Sequence, residues 1–227
     1  MNIYLIGCEY TGKTTLAGEI MKWAERKMGG TRHFHDHFTI PPSELTPEAA
    51  ESYRAVHPQA KEMMQRYMLT YHISPEMYGG HLDANLMGHA IEEAVYAPLY
   101  YGYGGKDSQS SFRSQEGQRT QMARDMEEKI LERAPNTVLT LLKAAPEVIR
   151  QRMRENPTTE EGEPTRGVVQ EKDVEYVQQR FEEEFEWSLI ENKIVVDTTS
   201  STVEETLAQF LEKFEPYLTQ ADRQRMQ

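Results

Sequence analysis

Apolar and polar positions along the chain switch repeatedly between two periods. Ile3 to Ile6 is a short run of branched and aromatic residues that ends at Gly7, the pattern of a buried strand. From Lys13 the spacing becomes helical, with Leu16, Ile20, Trp23 and Ala24 on one stripe until Gly29-Gly30 stops it. Arg32 to Phe38 alternates again and predicts a second strand. Thr46-Pro47-Glu48 combines a capping hydroxyl, a proline at the first helical position and an acid in the first turn. The helix it opens runs to about Tyr71, with a break near His57-Pro58. Ala84 to Ile91 predicts a third strand, Tyr96 to Gly105 a loop rich in Tyr and Gly, and Glu116 to Arg133 a helix with Met122, Met126 and Ile130 on one face.

Thr137 to Leu142 is a further strand. Pro146 opens a helix carrying Val148, Ile149 and Met153, and Asn156 to Thr165 lacks any period and reads as a loop. Val174 to Leu189 predicts an acidic helix, Ile194 to Val196 a last strand, Val203 to Phe214 a closing amphipathic helix, and Thr219 to Gln227 a polar tail. Strands alternating with helices predict a single α/β domain over residues 1–227, with a mainly parallel sheet and helices on both faces. In such a sheet ligands sit at the carboxyl ends of the strands.

Gly7-Cys8-Glu9-Tyr10-Thr11-Gly12-Lys13-Thr14 fits G-x-x-x-x-G-K-[ST] at every fixed position, between a predicted strand and a predicted helix. Gly7 and Gly12 let the backbone curl so that successive N–H groups face phosphate oxygens, and the helix behind them adds its positive end. Lys13 supplies a point charge near the β and γ phosphates, Thr14 a hydroxyl for Mg²⁺, and Thr15 a further hydroxyl. The expectation is a P-loop NTPase-type fold that binds ATP and Mg²⁺. Cys8 inside the loop is either a thiol activated by the helix end or a filler pointing away from the phosphates.

Composition narrows the partners. The net charge of −12 argues against broad nucleic-acid binding. The one cysteine allows no intrachain disulfide. No stretch approaches the roughly 18 apolar residues of a membrane span. The first residues lack the basic region and cleavage site of a signal peptide. The expected setting is therefore cytoplasmic, with no membrane contact. GTPase switches are set aside because Asn192-Lys193-Ile194-Val195 lacks the aspartate of a guanine-reading Asn-Lys-x-Asp.

Beyond the loop, the chain resembles the small P-loop nucleoside and nucleotide kinases, with thymidylate kinases nearest. Leu139 to Arg154 (LTLLKAAPEVIRQRMR) is similar to that family's strand and arginine-bearing lid helix. Val174 to Phe185 is similar to the helix after the lid, Ile194 to Thr199 (IVVDTT) to the strand and turn beside the adenine, and Val203 to Phe210 to the closing helix. The resemblance implies a small lid over residues 150–167 and a donor site that adds Tyr10, Thr11, Asp197 and Thr198 to the loop. It implies lid arginines among Arg150, Arg152 and Arg154, with Arg152 aligning best and Arg166 a further candidate. Positions i and i+2 on a helix diverge, so the three do not all face one ligand.

The departures lie on the acceptor side. Thymidylate kinases carry Asp-Arg-Tyr at the end of the third strand and deoxynucleoside kinases Glu-Arg-Ser. This chain has Ile91-Glu92-Glu93-Ala94, with an acid but no arginine. Glu92 takes the role of an acid that holds Mg²⁺ or accepts the acceptor's proton, with Glu93 as the alternative. Asp36, in His33-Phe34-His35-Asp36-His37, is the second carboxylate candidate, facing the acceptor's hydroxyl. Alternation sends its three histidines to the opposite face, which disfavours a metal cluster there. The tyrosines of 96–105 either stack a base or decorate a turn; Arg113, Arg119 and Arg124 lie near the next helix, and Arg113 or Arg119 is a candidate for clasping an acceptor phosphate.

The expected activity is phosphoryl transfer to a nucleoside monophosphate such as dTMP. The alternatives are a nucleoside or other small-hydroxyl kinase, and a nucleotide-binding regulator without efficient transfer. The family often dimerises, and Met63, Met64, Tyr67 and Met68 would serve a homodimer interface or a core stripe.

Overall fold

The computed structural model describes residues 1–35, 45–75, 83–106, 117–156 and 167–226. Four strands, β1 (Asn2–Ile6), β2 (Ala84–Met87), β3 (Val138–Lys143) and β4 (Lys193–Asp197), form a parallel sheet in the order β2-β1-β3-β4. Alternation explains why these strands read as continuous apolar runs. Tyr4, Ile6, Leu139 and Leu141 enter the core on one face, while Ile3, Leu5, Val138 and Leu142 enter the core on the other.

The second core is covered by α1 (Lys13–Met28), through Leu16, Ile20 and Ala24, and by α8 (Val203–Phe214), through Phe210 and Phe214. Gly29 ends α1 in the left-handed region, and the Gly30 N–H returns to the Ala24 carbonyl at 3.0 Å. Thr202 and Glu205 form a reciprocal capping box on α8. The first core is covered by α4 (His89–Tyr96), α5 (Gln118–Arg133) and α7 (Val174–Trp187). Between the strands run α2 (Pro47–Arg54), capped by Thr46, α3 (Pro58–His72), and α6 (Pro146–Glu155). The break expected near His57-Pro58 is present.

Several expectations need correction. The third strand ends at Met87 instead of Ile91, because Gly88 turns the chain at φ 71° and ψ −74° into α4. The buried Tyr4 hydroxyl holds this turn, donating to the Gly88 carbonyl at 3.0 Å and accepting from the Ile91 N–H at 3.2 Å. The segment 96–105 is not a loop throughout: the helix continues as a π-helical turn, Ala97–Tyr101. Tyr96, Tyr101 and Tyr103 are buried in the core, so they offer no exposed stacking platform. The strand expected over 32–38 is represented by one parallel bridge, His35 to Leu86, and Asp36 to Phe38 lie outside the described residues.

The polar tail also folds. Thr219 and Asp222 form a capping box on α9 (Gln220–Arg225), and Arg225 grips both oxygens of Asp83 at 2.7 and 3.0 Å. Among the described residues, no helix is long and apolar enough to cross a membrane.

Phe210 is fully buried and stacks on Phe214 at 5.1 Å between ring centroids. Phe210→Ala is expected to lower unfolding free energy by about 3–5 kcal/mol, measured by urea denaturation.

Candidate active site

The phosphate-type loop leaves the end of β1 at the centre of the sheet, where β2 and β3 flank β1 on opposite sides. Gly7 passes under β3 at φ 143°, and a Cβ there would sit 2.4 Å from the Leu142 carbonyl oxygen. Only glycine fits that approach. The loop is stitched by Thr11, whose hydroxyl donates to the Cys8 carbonyl at 2.7 Å. Gly12, at φ 92°, delivers the chain into α1 without a side-chain cap, leaving the first N–H groups of that helix directed at the loop.

Lys13 is buried. Its ammonium donates to the Gly7 carbonyl at 2.6 Å and the Cys8 carbonyl at 3.3 Å, and lies 3.5 Å from the Glu92 carboxylate. Glu92 reaches this place from the first turn of α4, with only 3% of its surface exposed. The sequence named the residue but put it at a strand end. Glu93 turns away to a separate cluster in which Arg119 lies 3.3 Å from Glu93 and 3.2 Å from Glu62. Arg124 pairs with Glu127 and Glu184. Arg119 and Arg124 are thus engaged with buried carboxylates, while Arg113 and Arg166 lie outside the described residues.

The three candidate lid arginines separate as helical geometry demands. Arg152 donates to the Tyr10 carbonyl at 3.0 Å, the Thr198 hydroxyl at 3.1 Å and the Thr198 carbonyl at 2.6 Å. Thr198 in turn donates to the Thr11 carbonyl at 3.0 Å. Arg150 instead bonds the Glu171 carbonyl and the Glu175 carboxylate, and Arg154 the Glu171 carboxylate. Asp197 accepts the Thr199 N–H at 2.8 Å and so shapes the turn that presents Thr198. Beside the loop lies a cavity of about 330 Å³, lined by Tyr10, Thr11, Gly12, Thr15, Arg152 and Thr198 together with Leu16, Ser201 and Val203. Thr14 is exposed at the start of α1.

Among the described residues no cluster of three or more His, Cys, Asp or Glu side chains could hold a metal. Thr14 and Glu92 are described groups beside the loop that could hold a magnesium ion.

Two residues acquire roles that sequence patterns did not suggest. Tyr96, fully buried, accepts the Glu9 N–H at 3.2 Å and ties α4 to the loop. His89, the first residue of α4, sits at φ 43° and holds the Leu69 carbonyl at 3.0 Å through Nε2. Burial pushes its imidazole down to about 3, so it is neutral with the proton on Nε2. An unfolded histidine titrates near 6.5. Between these values the unfolded chain binds a proton that the folded chain does not, so stability falls as pH drops below about 6.5.

No protein-family model matches the sequence, and a comparison with curated proteins finds no match. Solved structures do match. Deoxyadenosine kinase from M. mycoides with bound dATP superposes with a TM-score of 0.56 at 18% identity, covering 95% of this chain and 100% of that one. Thymidylate kinase from Candida albicans gives 0.56 at 15% identity, covering 100% and 93%. The YorR protein of Bacillus subtilis, in complex with phosphorylated GDP, gives 0.51 at 14% identity, covering 96% and 98%.

Two measurements test this geometry. Cys8 is buried, and desolvation pushes its thiol up to about 12, so thiol reagents are expected to label it only after denaturation. His89→Asn, which tolerates the left-handed backbone, is expected to flatten the loss of stability between about pH 6.5 and 4 by up to about 1.4 kcal/mol per pH unit. Chemical denaturation of both proteins at several pH values reads the difference. The glycine turn under β3, the lysine folded into its loop and the matching solved structures agree: the chain has the fold of the P-loop nucleoside and nucleotide kinases.

Proposed function

We propose that this chain is a magnesium-dependent kinase that passes the terminal phosphoryl group of ATP to a hydroxyl of a nucleoside-type acceptor. The observation that carries the reading is the Glu92 carboxylate 3.5 Å from Lys13, both buried where the loop meets α4. In this reading a carboxylate beside the loop lysine is within reach of an acceptor hydroxyl attacking the γ-phosphate. Glu92 accepts the hydroxyl proton as the acceptor oxygen bonds phosphorus and ADP leaves; in the alternative, Glu92 and Thr14 would hold Mg²⁺ and Asp36 would take the proton. Lys13 and the loop N–H groups neutralise the transferring group, and Arg152 closes the donor cavity over Tyr10 and Thr198. Magnesium, when bound, supplies charge neutralisation between the phosphates. Asp36 remains a proposed acceptor-side acid.

Arg119, the one described arginine suggested for an acceptor phosphate, is held by the buried carboxylates of Glu62 and Glu93. That favours a nucleoside over a monophosphate. The monophosphate reading, with a dTMP-like acceptor, rests on the similarity of Leu139 to Arg154 to the thymidylate-kinase lid region and on the Candida thymidylate kinase fold. The regulator reading rests on the arginine missing beside Glu92, and the acceptor panel below distinguishes it from a kinase.

The test is ADP release with Mg-ATP against a panel of nucleosides and nucleoside monophosphates. Turnover with a nucleoside is expected, with kcat reduced about 100-fold or more in Glu92→Gln and Lys13→Ala. Turnover confined to monophosphates moves the acceptor. Absence of acceptor-stimulated turnover across the panel contradicts the proposal.

A further inference from the structure

A loop built to bind phosphate carries an acid, Glu9, two residues after Gly7, where a free carboxylate would repel the donor. The structure shows where that charge goes. The Glu9 carboxylate accepts the Val168 N–H through one oxygen and the Val169 N–H through the other, each at 3.0 Å. Its own N–H is held by Tyr96. The approach is close: a Cβ at Gly167 would lie 2.8 Å from Glu9 Oε2 and 3.4 Å from the Tyr10 ring, so a side chain there would displace the carboxylate.

The strip it holds is anchored further along. Val169 is buried, Tyr100 donates to the Asp173 carboxylate at 3.0 Å, and Glu171 receives Arg150 and Arg154 from α6. Helix α6 reaches the loop a second time through Arg152, which donates to the carbonyl of the next loop residue, Tyr10. Adjacent loop residues are thus fastened to two further segments: Tyr10 to α6, whose Arg152 lines the donor cavity, and Glu9 to the strip that leads into α7.

We propose that Glu9 is a positioning residue for phosphoryl transfer, clasping the 167–169 strip to the phosphate loop so that the loop N–H groups and Arg152 hold one fixed relation. This rests on the kinase reading above. Here each of two neighbouring N–H donors has its own acceptor oxygen, and only a carboxylate presents two such oxygens on one side chain. Glutamine has the same shape but places an NH₂ against one of those donors. A packing role would survive that change, whereas a double-acceptor role would not. Misplacement of an ångström at a reacting centre costs up to about 100-fold in rate.

The experiment compares wild type, Glu9→Gln and Gly167→Ala. The second variant crowds the carboxylate from the other side without altering any charge. Steady-state kinetics are run well below the unfolding temperature, alongside amide hydrogen exchange at Val168 and Val169 with and without a non-hydrolysable Mg-ATP analogue. Both variants are expected to lose about 10- to 100-fold in kcat, to change the donor KM by less than about threefold, and to lose exchange protection at the two valines. Their double variant is expected to be no worse than the poorer single one. Lost protection with unchanged kcat overturns the proposal, as does a wild type whose valine amides exchange like an open loop. If wild type shows no turnover, the kinase reading falls on its own. The clasp is then judged by exchange: protection that rises with nucleotide in wild type but not in Glu9→Gln supports it, and equal protection in both overturns it.

Discussion

The structure depends on one close approach. Gly7 leaves β1 beneath the Leu142 carbonyl, with no room for a single carbon on that side. Because β1 is central and buried on both faces, its end is fixed by packing before any side chain of the loop makes a contact. The loop then turns at Gly12 into α1, and the lysine that follows lies across its own loop, on the Gly7 and Cys8 carbonyls. The shape of the loop is therefore a consequence of how the sheet is packed and where one glycine stands.

A buried lysine needs acceptors, since an unpaired charge away from water is strongly destabilising. Lys13 finds the Gly7 and Cys8 carbonyls and the Glu92 carboxylate. Glu92 is available because Gly88 turns the chain sharply at the end of β2, which brings the first turn of α4 over the loop. Tyr4 and Tyr96 then fix α4 to β1 and to the loop from either side. The same helix directs Glu93 away to Arg119. Two adjacent acids thus face different environments because consecutive helical residues point about 100° apart.

This geometry explains what was legible in the sequence. The loop was readable because glycine, lysine and threonine at fixed spacing have few other uses. Strands β1, β3 and β4, and helices α1 and α8, were readable because their apolar period is clear and stop signals agree with it, as at Gly29-Gly30 after α1. Helix α4 was not: all of its residues are buried, so it has no polar face to distinguish it from a strand. The short helix α9 was hidden because its anchor, the Asp83–Arg225 pair, joins residues far apart in the chain. Arg152 emerged from the lid-helix resemblance, but its separation from Arg150 and Arg154 required the position of Glu171 and Glu175. Glu9 gave a signal that composition could have raised, an acid within an anion-binding loop, but its N–H partners on Val168 and Val169 are a tertiary fact.

The central claim is that residues 7–15, covered by Arg152, form the seat of a nucleoside triphosphate. Calorimetric titration of a non-hydrolysable ATP analogue with magnesium tests it without reference to any acceptor. The account predicts one site per chain, weakened at least about tenfold, or about 1.4 kcal/mol, in both Lys13→Ala and Arg152→Ala. Absence of binding, or binding that neither substitution weakens, would contradict it.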